Sequence, residues 1–565
     1  MSEAHGEIIG ASDDDFFKLF IIYNSKYMKL KFFLLVMLVA VGCTSIDGGT
    51  ADNGALYEKE DCNIMGTVTC DGKGVAGVAV SDGVSVTKTD SNGRYWLCTP
   101  HLNRTPEVFI SVPSGYETTE RNGLGPDFYR HTENIDGVQI FNFTLKEVDQ
   151  TDYTLLAIAD SHVLAANEAG PVAASPNDRE YYNNLFLPKF QSYADSCPGP
   201  VYGIALGDMT QAGSWSRYTL ANYRDDTAAG IDFMMYSAIG NHDHDNCSGV
   251  GLSSYDEYNQ HLSRRSFRAA LGPAYYSFNI GTEHYVVLDN IFVNKHETSY
   301  TSNKIDPYQL AWLRRDIEAV DRTKIKGVVI AMHAAIFNSS LKIASETANE
   351  VVDILKDYDL TILIGHSHLD RTATSTTPKG KRIVEFIHPS LAGVAWFNLR
   401  NIEGTPAAFC AYRFKDGYST MREYVPFGEN ENEKYSLYDN GEHSYTYPIT
   451  EGTGVAKKYE SDKLDMNLPA VMINAWGKVR CDVVSGGVVS KGYYDLKYRD
   501  WFWRSLESDD RNSIICNSKY PNGPDWQQPG KSSYHIWKVV ASSPTVVVDL
   551  YDHYGNKERL TLQAQ

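Results

Sequence analysis

The sequence predicts an α/β domain set between two β-rich modules, and three observations carry that prediction. Over residues 150–412, apolar runs of strand length alternate with amphipathic helical patterns, as in a sheet whose strands are buried on both faces. On either side, at 61–148 and 440–565, short apolar runs are punctuated by turn signals. A length of 565 residues, at about 100–200 residues per domain, implies several domains rather than one. Composition is 42% hydrophobic and 22% charged, which excludes a disordered, collagen-like or coiled-coil chain. Lys and Arg total 52 against 71 Asp and Glu, a net charge of −19, so long nucleic acid is disfavoured as a partner. Bound cations would reverse that sign locally.

From Met28 the chain runs MKLKFFLLVMLVAVGC, with two lysines, an apolar stretch from Phe32 to Val41, then Gly42 and Cys43. The apolar stretch is short for a membrane span, and the pattern resembles a bacterial lipoprotein signal with Cys43 as the lipidated mature N-terminus. Ala40 stands where such signals more often have Leu. On this reading residues 1–42 are an upstream segment and signal, and the small, polar residues 43–60 are a tether. The protein is then exported and lipid-anchored in the cell envelope (periplasm or outer membrane of a Gram-negative bacterium), touching membrane through the anchor only. Export permits disulfides among Cys62, Cys70, Cys98, Cys197, Cys247, Cys410, Cys481 and Cys516. No CxxC spacing occurs, which argues against a thiolate zinc site, and the pairing stays open.

Residues 61–148 read as a β-sandwich: Ile64–Thr69, Val78–Val80, Val84–Thr89, Val108–Val112 and Gln139–Leu145 are separated by DGKG, SDG and DSNG. The stretch GTVTCDGKGVAGVAVSDGVSVTKTDSNGRYWL resembles the transthyretin-like sandwich attached to secreted carboxypeptidases and some phosphoesterases. It carries no obvious chemistry, and a spacer or adhesion role is expected. Residues 413–439, with the polar PFGENENEK, read as a linker. The C-terminal β-rich domain at 440–565 holds five of the nine tryptophans: Trp476, Trp501, Trp503, Trp526 and Trp537. Such aromatics either fill a core or stack on sugar rings, so a glycan contact by this domain stays open.

The chemistry lies in the middle domain. TLLAIA ends at Asp160-Ser161-His162, VYGIAL at Gly207-Asp208, and FMMYSAI at Gly240-Asn241-His242-Asp243. KGVVIAM ends at His333, and LTILI at Gly365-His366-Ser367-His368. Ligands of open α/β sheets collect at the carboxyl ends of strands, so five such ends would gather these side chains round one cleft. Mixed imidazole and oxygen donors suit Mn, Fe, Zn, Ni or Co better than Ca. The supply exceeds one tetrahedral ion and fits two transition metal ions, divalent or mixed-valence, sharing a carboxylate. Paired ions about 3.5–4 Å apart clamp the attacking and leaving oxygens of phosphoryl displacement. Any one of these histidines alone is ordinarily a loop residue; the ordered series is what carries the signal.

The series DxH, GD, GNHD, H, GHxH resembles the calcineurin-like metallophosphoesterase superfamily over roughly residues 150–410. The layout of lipoprotein signal, sandwich, phosphoesterase and C-terminal sandwich is similar to that of a secreted bacterial subgroup. The resemblance implies a central four-layer αββα sandwich flanked by N- and C-terminal β-sandwiches. It implies that Asp160, His162, Asp208 and His368 hold one metal. Asp208 bridges to a second, held also by Asn241, His333 and His366. His242 would be a non-ligand that stabilises or protonates the leaving oxygen while a metal-bound water attacks phosphorus in line. The helical patterns Asp306–Val320, with Pro in the first turn, and Ser345–Tyr358 fit the outer layers.

Departures bear on substrate. The phosphoprotein phosphatase branch has Arg before GNH, where this chain has Ile239. It has Asp three residues after the GD aspartate, where this chain has Gln211, leaving Asp243 or Asp245 as candidates to orient His242. A small or envelope-derived phosphoester is therefore favoured over phosphoproteins, with monoester and diester both open. His244 and Trp396 are weaker candidates to line the cleft and contact substrate, and His284, His296 and His388 are read as ordinary. The reading outside this class is a glycan- or surface-binding lipoprotein whose central domain is secondary or a degenerate scaffold.

Overall fold

Every side chain of the run Tyr153–Ile158 is buried, which is why it reads as unbroken apolar sequence and why it lies at the middle of a sheet. The computed structural model describes residues 55–100, 103–133, 137–165, 178–211, 217–295, 299–338, 340–393, 396, 399–401, 405–428, 432, 433–439, 445–446, 455–459, 470–490 and 535–564. Cys43 with its signal and most of the tether, together with His296, Trp501, Trp503, Trp526 and Cys516, lie outside the described residues. No described helix is long and apolar enough to cross a membrane.

The central domain holds two mixed sheets. In the first, β1 (Tyr153–Ile158), β2 (Val201–Leu206) and β3 (Met235–Ala238) run parallel. The second contains β4 (Tyr276–Ile280), β5 (Glu283–Val287), β6 (Gly327–Ala331), β7 (Asp359–Ile364), β8 (Arg371–Thr376) and β9 (Arg382–Ile387), in the order β4-β5-β6-β7-β9-β8. Strands β5, β6, β7 and β9 are parallel and the two edges antiparallel. The first sheet is completed by β10 (Ala408–Lys415), antiparallel to β1, and β11 (Tyr418–Pro426), antiparallel to β10.

Side-chain alternation sets the layers. On β1, Leu156 and Ile158 join a core with Phe186, Phe190 and Tyr223, contributed by and around helices α1 (Leu187–Ser196) and α2 (Leu220–Gly230). Leu155 and Ala157 join the other core, between the sheets. There Tyr236 of β3 stacks on Phe278 of β4, and Phe278 on Tyr285 of β5. The next residues along, Ser277 and His284, turn to the opposite face and bond Asp316 of α3 (Pro307–Ala319). Helix α3 starts where expected: Asp306 accepts from the amides of Tyr308 and Gln309, and Pro307 takes the first helical position. Ser345 caps α4 (Glu346–Ile354) through the amide of Ala348.

One boundary is corrected. The 413–439 span expected as a linker contains the end of β10, all of β11, and Glu433–Asp439, which pairs with strands of the C-terminal module. Asp416 and Gly417 both take positive φ (51° and 77°) and turn β10 into β11 as a two-residue hairpin. The Asp-Gly dipeptide between two half-buried runs is the local signal for it.

The N-terminal module is built on a six-stranded and a four-stranded sheet with a small two-stranded ribbon, and a Cys62–Cys98 disulfide joins the ends of two paired strands of the larger sheet, Ile64–Cys70 and Arg94–Leu97. It is not a detached spacer. Glu107 takes Arg268 Nε at 3.0 and 3.1 Å, Trp312 Nε1 donates to Ser81 Oγ, and the Asn279 amide donates to the Val112 carbonyl. Its apolar residues share one core with the second sheet. The C-terminal module also forms two sheets, around Ile473, Trp537, Val539, Val548 and Leu560. Trp476 and Trp537 are buried, so neither is available to stack on a sugar.

Candidate metal centre

The parallel strands end on one side of their sheets, and the polar residues follow at a fixed offset. Asp160, Asp208, His333 and His366 each stand two residues beyond the last strand residue, after Ile158, Leu206, Ala331 and Ile364; Asn241 stands three beyond Ala238. Asp160, His162, Asp208, His366 and His368 all have φ between 44° and 65°. This left-handed backbone costs a non-glycine residue about 1 kcal/mol or more, and it turns the chain sharply off the sheet so that side chains point back over the strand ends. The glycines of the motifs have a spatial reason. A Cβ on Gly207 would lie 2.5 Å from His333 Nδ1, and one on Gly240 would lie 2.2 Å from Asp208 Oδ1.

Two groups of donors result. Asp160, His162 and His368 form one, and Asp208, His333 and His366 the other, each with donor atoms within 4.8 Å of one another. In the first, His162 Nε2 faces His368 Nε2 at 3.1 Å, and Asp160 Oδ1 lies 3.4 Å from His368 Nε2. In the second, His333 Nε2 lies 3.2 Å from each of Asp208 Oδ2, Asn241 Oδ1 and His366 Nδ1. Asp208 joins the groups. Its Oδ1 accepts the His242 amide at 2.8 Å, while Oδ2 faces His333 at 3.2 Å and His162 at 3.6 Å. All seven expected ligands are thus brought together.

The donor set fits cations. His333 Nδ1 donates to the Leu206 carbonyl at 2.7 Å, and that bond leaves its Nε2 lone pair toward the cluster. Lone pairs of paired imidazoles converging at 3.1–3.2 Å repel unless positive charge sits among them. Nitrogen and carboxylate donors at this spacing suit borderline transition metals. Electrostatics agree. Burial pushes the Asp208 carboxyl up, but His333, His242 and His162 outweigh it and hold it well below the ordinary range. Burial pushes His333 down, yet Asp208 and Asp160 raise it to about 10, so the carboxylates draw positive charge to its Nε2, a proton there until a cation displaces it. His366 goes the other way, to about 3, through burial and then the His333 charge.

His242 lies beside the first group, its ring edge-to-face with His162 at 4.8 Å, and it also falls within reach of His162 and Asp208 as a third donor. Its Nδ1 is 2.6 Å from the carbonyl oxygen of Gln211. That backbone carbonyl, and not Asp243 or Asp245, orients the ring. Asp243 instead accepts the amides of Asp208, Met209 and Gly240, and Asp245 accepts from Ser266. Asp243 therefore pins the two loops that carry Asp208 and Asn241, and burial, with Asp208 adding to it, pushes its carboxyl up to about 7.

The two weaker candidates are not where expected. Trp396 is buried in the core under α1 and α2, with Nε1 donating to the Ser161 carbonyl, because its apolar ring finds Tyr182 and Phe427 there. His244 is fully enclosed, with Nε2 3.2 Å from Asp289, and faces away from solvent. One residue was missed: Tyr300, whose half-buried ring packs edge-on against His366 at 5.9 Å. It arrives on a short hairpin that no local pattern connects with the metal motifs.

Comparison with known proteins identifies the family. Residues 153–370 match the family described as calcineurin-like phosphoesterase, and residues 62–148 match the family described as the N terminal of calcineurin-like phosphoesterase. No curated protein sequence matches the chain significantly. Among solved structures, a dimetal phosphatase from Danio rerio aligns over 50% of this chain and 98% of its own, at 13% identity and a TM-score of 0.32. A 5'-nucleotidase precursor from Thermus thermophilus aligns over 49% of this chain and 54% of its own, at 12% identity and 0.28. A 5'-nucleotidase from Candida albicans aligns over 50% and 53%, at 12% identity and 0.30. This chain spans about half the length of each nucleotidase. The chain therefore belongs to the calcineurin-like phosphoesterases, with the metal-dependent hydrolase domain of that family at residues 153–370 behind its N-terminal module at 62–148.

Proposed function

We propose that this enzyme hydrolyses a small or envelope-derived phosphoester, monoester or diester, by direct in-line displacement with no covalent enzyme intermediate. The observation that carries the reading is Asp208, one carboxylate facing both donor groups. Bound at the two groups, paired cations would activate water and neutralise charge on the phosphoryl oxygens. The chain supplies the rest. Asp160, His162 and His368 hold one side of the cleft, and Asn241, His333 and His366 the other. Asp208 keeps them in fixed separation. His242, oriented by the Gln211 carbonyl, presents its other ring nitrogen to the leaving oxygen and, when protonated, donates to it. Lipidation at Cys43 would hold this activity at the envelope.

The test is a panel of nucleotides, sugar phosphates, phospholipid head groups and diesters, run with Mn, Fe, Zn, Ni and Co in turn. Turnover of at least one class, abolished by chelator and restored by metal, is the expected outcome. No turnover with any metal, in protein that carries two ions, would remove the hydrolase reading for this chain.

A further inference from the structure

The loop Gly365–Asp370 carries His366 and His368, both in left-handed backbone, φ 65° and 51°. Such a loop stays in place only if its surroundings over-determine it. A buried chain of hydrogen bonds, closed by an ion pair, grips it at both ends. At the near end the His388 amide and His388 Nδ1 both donate to the Ile364 carbonyl, at 2.8 and 2.9 Å. His388 Nε2 then accepts from the Tyr412 hydroxyl at 2.9 Å, and that hydroxyl accepts from Arg422 Nε at 3.1 Å. At the far end Arg422 Nη2 reaches Asp370 Oδ1 at 2.8 Å. From Arg422 Nε to the Ile364 carbonyl each donor has an acceptor next along, a direction that requires His388 neutral with its proton on Nδ1. Burial, with the Arg422 charge adding to it, pushes His388 down to about 3, in keeping with that form.

The four side chains are each between 1% and 5% exposed, so none is a surface ion pair of small effect. They come from two sheets: Tyr412 and Arg422 belong to β10 and β11 of the first, while Asp370 immediately precedes β8 and His388 immediately follows β9 of the second. The C-terminal module adds the last contact, since the Gly477 amide donates to Asp370 Oδ2 at 2.6 Å. Tyr424 of β11 also meets Trp476 of that module at 6.1 Å.

We infer that Arg422, Tyr412, His388 and Asp370 form a positioning clamp which fixes the loop bearing His366 and His368, and that the C-terminal module completes it through Gly477. The inference rests on His366 and His368 being metal ligands, as in the reading above. The clamp side chains are buried and face one another, not the cleft. Their effect passes through the ligands, as that of outer hydrogen-bond partners on metal sites generally does, at about 10–100-fold in metal affinity.

The experiment measures Mn²⁺ binding by calorimetry on the full-length chain, far below its unfolding temperature. Tyr412→Phe keeps the ring and removes the hydroxyl that joins Arg422 to His388; Arg422→Met removes the whole centre. The clamp predicts about tenfold weaker Mn²⁺ binding for Tyr412→Phe and a larger loss for Arg422→Met. A control, Phe190→Leu, loosens the buried core under α1, away from the clamp. It should lower the unfolding temperature without changing Mn²⁺ affinity. If Arg422→Met does not fold, Tyr412→Phe decides alone. Wild-type affinity in folded Tyr412→Phe overturns the clamp, and so does an equal loss in Phe190→Leu. Two ions bound normally by a wild-type protein that turns over no ester would remove the hydrolase reading and leave the clamp standing.

Discussion

His242 Nδ1 lies 2.6 Å from the backbone carbonyl oxygen of Gln211. Position 211 is where the phosphoprotein phosphatase branch places an aspartate, and here the main chain of the same residue takes over the orienting task. A carbonyl fixes the ring and its tautomer without adding a negative charge beside it.

Removing the imidazole should therefore cost rate and leave binding nearly alone. For His242→Ala, kcat and kcat/KM should fall together by about 10²–10⁴-fold, with metal content at wild type. The loss should shrink on a nitrophenyl ester, whose leaving group needs little help from an acid. Gln211→Ala keeps the carbonyl and should stay within about threefold of wild type. Steady-state kinetics on an activated and an unactivated ester, with metal analysis of the same preparations, check all of this. Lost metal in His242→Ala would make His242 a ligand instead.

Asp208 and Asp243 should separate ligand from support. Asp208→Ala removes the carboxylate that faces both donor groups, so elemental analysis should find both ions depleted, not one. Asp243→Ala leaves the amides of Asp208, Met209 and Gly240 without their buried acceptor. That should cost about 3 kcal/mol or more in urea unfolding. Retention of one full ion in Asp208→Ala would contradict the shared carboxylate.

Asp178, buried at the start of a short helix, should make stability depend on pH. Burial pushes its carboxyl up to about 7, against a lowering contribution from the Leu164 amide. The unfolded chain, with an ordinary value near about 3.9, loses this proton first as pH rises. Stability is then full below about pH 4 and declines up to about pH 7. Asp178→Asn cannot ionise, so it should be more stable than wild type at pH 8 by about 4 kcal/mol and show little gain at pH 4. Equal differences at the two pH values in urea titrations would rule this out.

Location has its own test. Expressed in a Gram-negative host with labelled fatty acid, the protein should carry the label and partition into detergent, and Cys43→Ser should lose it. Mature protein that retains residues 1–42 would count against the anchor.

The carboxyl-terminal ends of β1, β2, β3, β6 and β7 were legible in the sequence, and so was the gathering of the seven Asp, Asn and His side chains that follow them. The reason is local. A strand buried on both faces must be continuously apolar, and a run of Asp, Asn, His and Gly directly after it marks the sheet edge where ligands gather. The caps of α3 and α4, at Asp306 and Ser345, were readable on the same terms, since a cap is satisfied within three residues. The partners of these residues were not. Asp160 takes the amide of His366 across 206 residues, and His242 takes the carbonyl of Gln211, an atom every residue possesses. Trp396 could have served substrate or core equally well by its chemistry, and only the packing of Tyr182 and Phe427 around it put it in the core. The strands of 413–439 and the clamp from Arg422 to Asp370 likewise exist only because two sheets and a C-terminal module close on one another. By itself the sequence determined which side chains could bind metal and on which strand ends they stand. Tertiary structure decided what holds them there, because buried hydrogen bonds are made between segments whose distance in space no local pattern records.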